Sequence, residues 1–141
     1  MSESALLGFL QWIDLIGVVF NAVLGAVIGR AARLDVVGLA VLAIMSGLGG
    51  GMIRDVLLQS GPPIAITDWR YITAALAGAA VVMVVRVEGR WWERIYPPID
   101  ALALGTWAAA GSLKTLEAGF GVLPALMLGT ITAVGGGFVR D

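Results

Sequence analysis

Five long apolar runs, separated by short polar connectors, constrain this chain more than any other feature. They span residues 5–29, 36–58, 71–85, 99–113 and 120–139. Each is continuously apolar, without the period-2 alternation of a barrel strand. A membrane-crossing helix needs roughly 20 apolar residues, about 17–25. The third and fourth runs are near or below that limit and must draw in flanking residues. The connectors 30–35, 59–70, 86–98 and 114–119 leave no room for a soluble domain. The expected fold class is therefore all-α, a polytopic transmembrane helical bundle. Composition agrees: 59% of residues are hydrophobic and 13% charged, against about one-half and one-quarter in soluble domains.

Other function classes fall away on the same grounds. The net charge of −1 implies no nucleic-acid partner. His and Cys are absent, which removes the usual general base, the thiol nucleophile and the commonest zinc ligands. No enzyme activity and no cofactor are expected. The N-terminal Met1, Ser2, Glu3 and Ser4 lack the basic region of a signal peptide, so the first run reads as a retained helix. Arg30, Arg33, Arg86, Arg90 and Arg94 lie in the first and third connectors, against Arg70 and Lys114 in the second and fourth. The positive-inside rule then puts the N-terminus outside, in a multi-pass protein of the cell inner membrane. Trp12, Trp69, Trp91 and Trp92 sit near span ends, as interfacial aromatics do.

The runs carry a doubled motif. Gly49, Gly50 and Gly51 are followed by two apolar residues and then Arg54 and Asp55. Gly135, Gly136 and Gly137 are followed in the same way by Arg140 and Asp141. The copies are 86 positions apart, as are Asp14 and Asp100, and Gly25 and Gly111. Three spans separate the two starts, so the expected repeats have inverted topology. The first is a three-helix unit over 5–87 and the second, over 99–141, stops within its second helix. The second copy has no counterpart of the stretch beyond Asp55, so the chain reads as a fragment of a longer protein. Inverted repeats are a transport architecture, with the site near the bilayer midplane.

Each motif has two readings. A glycine costs about 1 kcal/mol relative to Ala inside a helix, so a triplet marks either close helix packing or a break at membrane depth. A break would turn freed carbonyls toward a water-filled path. Adjacent helical residues point about 100° apart, so Arg54 and Arg140 are each expected to find a partner elsewhere. The inverted arrangement suggests Arg54 with Asp141 and Arg140 with Asp55; the alternative is that Arg54 snorkels to the outer interface. Lys114, the only lysine, reads by itself as a solvated charge at a helix end. Asp14, Asp35 and Asp100 read as N-caps. Gly17, Asn21, Gly25 and Gly29 form one helical stripe for close packing, with Asn21 as an interhelical donor.

These residues resemble a known family. Asp14-x-x-Gly17-x-x-Phe20, Leu34-Asp35-x-x-Gly38, the triplet motif running on through Val56, Leu57 and Leu58, and the second copy from Asp100 to Asp141 are similar to the bacterial trimeric intracellular cation channels. That family is also known as UPF0126 and as the glycine transporter domain. The resemblance implies seven helices in two inverted three-helix repeats plus one, and a homotrimer, in contact with membrane lipids, with one pore per subunit. It implies passage of potassium and, less selectively, sodium. The second and fifth helices would kink at their glycines and line the pore. The implied ion path runs past Gly49, Gly50, Gly51, Arg54, Asp55, Gly135, Gly136, Gly137, Arg140 and Asp141, with Lys114 near the constriction. Asn21 stands where the family has a small residue. The alternative function is secondary transport of a small zwitterion such as glycine.

Overall fold

The structure is a computed structural model, which describes residues 2–59, 61–85 and 88–141. Met1, Ser60, Arg86 and Val87 lie outside the described residues. So the Arg86 charge and the end of the first expected repeat fall beyond it. Among the described residues six helices succeed one another: α1 Glu3–Ala31, α2 Val36–Leu58, the short α3 Ile64–Thr67, α4 Trp69–Val84, α5 Gly89–Glu117 and α6 Val122–Arg140. No strand occurs among the described residues. By length and composition α1, α2 and α6 can each cross a membrane, and α4 is a shorter apolar helix.

Local signals explain the boundaries. Ser2 caps α1 by accepting from the Ala5 amide at 3.3 Å. Arg33, at φ 58°, turns the chain out of α1. Asp35 caps α2, accepting from the Gly38 amide at 2.8 Å, as its position suggested. Asp68 caps α4 through the Arg70 amide at 3.0 Å. Arg30 reaches from α1 to the end of α4 and donates to the Val82 and Val85 carbonyls at 2.5 and 3.1 Å. A cation there satisfies orphan carbonyls and complements the helix dipole.

One boundary departs from the sequence reading. The stretch 86–98 was expected as a connector, yet α5 already starts at Gly89 and carries Pro97 and Pro98 inside it. Its first turns are polar and aromatic, with Trp92 and Tyr96 in edge contact at 5.7 Å. A hydropathy argument sees only the lipid-compatible part of a helix and misses a polar extension of it.

α1 is central, packing on α2, α4 and α5, while α6 packs on α5 and α2. The seams are lined by small residues. A Cβ at Gly25 would lie 2.5 Å from the Ser46 side chain, and one at Gly78 would lie 2.9 Å from that of Ala22. A Cβ at Gly129 would lie 2.8 Å from the Ala108 carbonyl. Small residues let backbones approach where lipid supplies no hydrophobic drive between helices. The outward faces stay apolar: Val37, Val84, Leu123 and Phe138 are all exposed.

Candidate functional site

Four helices bring their charged and polar side chains to one buried point. Asp14 on α1 is at its centre, with its side chain only 2% exposed. Arg54, fully buried, grips it with a bidentate pair: Nη1 to Oδ1 at 2.9 Å and Nη2 to Oδ2 at 3.1 Å. From α4 the Tyr71 hydroxyl donates to Oδ2 at 3.1 Å. Lys114 on α5 adds its ammonium to the same oxygen at 2.8 Å. The Arg54 Nε donates to Asp55 Oδ1 at 2.8 Å, and the other Asp55 oxygen accepts from the Ile64 amide at 3.0 Å. Two carboxylates thus balance two cations. Neutrality matters here, because an unpaired buried charge costs several kcal/mol.

This geometry corrects several expectations. Asp14 is not an N-cap: it lies eleven residues into α1 and ties that helix to three others. Asp100 likewise lies inside α5 rather than at its start. The reciprocal pairs Arg54–Asp141 and Arg140–Asp55 do not form. Arg54 takes Asp14 and Asp55, and Arg140 takes Asp141 at 3.1 Å. The rule that adjacent helical residues diverge holds at Cβ, but an arginine is long enough to fold back onto its neighbour's carboxylate. Arg54 does not snorkel, and Lys114 is a member of the buried cluster rather than a solvated end charge. Asn21 donates to Gly17 O within its own helix at 3.0 Å, and its backbone carbonyl makes the interhelical bond, accepting from Ser46 Oγ at 2.7 Å.

The glycine triplets resolve as close packing. Both α2 and α6 run through them as uninterrupted helices, so the reading of a break with freed carbonyls gives way. A Cβ at Gly50 would fall 2.2 Å from the Thr132 carbonyl, and one at Gly136 would fall 2.6 Å from that of Ser46. The third glycine of each triplet instead faces its own motif's arginine: Gly51 Cβ would lie 3.6 Å from Arg54 Nη2, and Gly137 Cβ 3.4 Å from Arg140 Nη2.

At the second motif, Asn21, Asp100, Gly137, Arg140 and Asp141 help line an open cavity of about 340 Å³. Arg140 makes no ion pair with Asp100 among the described residues. Sequence reasoning missed two contributors to the interior. Tyr71 was seen only as the start of a span. Trp107, fully buried on α5, was not singled out, although it alone of the tryptophans lies mid-span.

Known proteins resemble this chain in sequence and fold. A family model described as glycine transporter matches residues 11–86 and 98–141. A UPF0126 membrane protein of Deinococcus radiodurans is 36% identical over 94% of this chain and 61% of its own length. The UPF0126 inner membrane protein YadS of Escherichia coli K12 is 33% identical over 92% of this chain and 63% of its own. The chain thus spans somewhat over half the length of these relatives. The trimeric intracellular cation channel orthologue from Rhodobacter sphaeroides superposes with a TM-score of 0.87 at 28% identity, over 94% of this chain and 69% of that one. Family model, relatives and fold converge: the chain belongs to the glycine transporter family of membrane proteins, and it is similar to UPF0126 proteins and to a solved trimeric intracellular cation channel.

Proposed function

We propose that this chain is part of a potassium-permeable monovalent cation channel, with the Asp14–Arg54–Tyr71–Lys114 cluster as a constriction. The carrying observation is that cluster. Ionisable groups inside a membrane bundle are costly and mark ion paths, and here four helices converge on one carboxylate. Arg54 and Lys114 hold Asp14 neutralised, so a passing cation must displace a fixed ammonium or share its carboxylate. Gly49, Gly50, Gly51, Asp55, Gly135, Gly136, Gly137, Arg140 and Asp141 border the rest of the path. The assembly is a homotrimer in the inner membrane, surrounded by lipid, with the N-terminus outside. The fold's likeness to a solved cation channel supports this reading.

The description of the matching family model supports a second reading, secondary transport of glycine. Reconstitution into liposomes separates the two. A channel gives unitary potassium currents in a bilayer; a transporter gives slow, saturable glycine uptake. Robust glycine uptake without potassium current overturns the channel.

A further inference from the structure

We propose that the Trp107 indole is the plug that closes the ion path of the resting protein, a role that rests on the channel reading above. Asp100, Trp107 and Lys114 recur at seven-residue spacing along α5. Seven residues are nearly two turns, so the three share one face of the helix at intervals of about 10.5 Å. At one end of that face Lys114 joins the Asp14 cluster. At the other, Asp100 lines the cavity that Arg140 and Asp141 also border. An ion travelling between these two charged regions must pass the level of Trp107.

The indole fills that level from wall to wall. It is 0% exposed. A Cβ at Gly17 on α1 would lie 2.1 Å from its Cδ1, and one at Gly50 on α2 or Gly136 on α6 would lie 2.4 or 2.6 Å from its Cζ3. Three other helices therefore present bare backbone to one side chain. Packing alone holds the ring in that slot. Its Nε1 is the one buried side-chain polar atom without a hydrogen-bond partner among the described residues, a situation that costs about 1–3 kcal/mol. A purely structural tryptophan at such a position would be expected to find an acceptor. A ring held by shape alone, with an unsatisfied donor, is favoured to turn when water or ions reach it.

The test is a size series, W107F, W107L and W107A, made in the full-length protein, reconstituted into liposomes and read by potassium flux. Circular dichroism and monodispersity confirm that each variant folds. The plug predicts that flux rises as the side chain shrinks, with W107A on the order of tenfold above the parent. If W107A fails to fold, the W107F and W107L steps carry the same test. Flux in the parent with a flat or falling series overturns the plug and leaves the channel standing. A silent parent with leaking variants supports the plug. No potassium flux in any of the four proteins overturns the channel reading and the plug with it.

Discussion

The two copies of the glycine–arginine–aspartate motif build the same local ion pair, and the first of them sits within a buried network. In both, the arginine Nε folds onto the next residue's carboxylate, at 2.8 Å for Arg54 and 3.1 Å for Arg140. In both, the third glycine faces that arginine at a distance a Cβ would share in ordinary contact. There the likeness stops. Arg54 is fully buried and also holds Asp14, which Tyr71 and Lys114 complete from two further helices. Among the described residues Arg140, whose side chain is 10% exposed, pairs only with Asp141. Asp100, the counterpart of Asp14, lines the same open cavity without joining that pair. The motif sets the local ion pair. At the first motif, side chains from α1, α4 and α5 make that pair part of a buried network.

Substitutions can break this comparison, beginning with the largest expected effect. Arg54→Ala leaves Asp14 and Asp55 with a single lysine, and Asp14→Asn leaves Lys114 without its carboxylate and Arg54 with Asp55 alone. Each should cost about 3–5 kcal/mol, read as a lowered midpoint of thermal unfolding in detergent. Values below about 1 kcal/mol would mean that water already solvates the cluster. Next, Gly50→Ala should destabilise by about 1–3 kcal/mol, because its Cβ meets a carbonyl and the Trp107 ring. Gly51→Ala, one residue on, meets only the tip of Arg54 and should be neutral or slightly stabilising. Equal effects at the two positions would contradict the packing described. Tyr71→Phe removes one hydrogen bond to a charged acceptor and should cost about 1.5–3 kcal/mol. Its coupling to Lys114→Met in a double-mutant cycle sharpens the picture, since both act on Asp14 Oδ2 and additivity would show them to be independent. Smallest of all, Arg140→Gln should change stability by no more than about 1 kcal/mol. A loss matching that of Arg54→Ala would erase the distinction between the two motifs.

Much of the fold was legible because hydropathy and capping act locally. The α2 boundaries matched their apolar run, and Asp35 capped where a turn of polar residues met that run. The start of α5 was not legible, since a helix extending beyond the bilayer no longer needs apolar residues. Within the site, Arg54 and Asp55 stood out as charges in apolar context, whereas Lys114 read by itself as a solvated helix end and entered the site only through the family resemblance. Asp14 was noticed too, but an aspartate early in an apolar run looks the same whether it caps a helix or pairs across one. Tyr71 gave no signal, because a tyrosine at a span end is ordinary in a membrane protein.

The sequence by itself determined that the chain is a helical membrane protein, that its motif recurs at a fixed spacing, and that charges lie inside its apolar runs. Those properties depend on residues near one another along the chain, or on composition. Tertiary structure alone decided which charges meet, that the triplets serve close approach rather than a break, and that a single tryptophan fills the space between them. Partner choice at a buried charge is set by which helix faces converge. That depends on the packing of every span at once, so no local pattern encodes it.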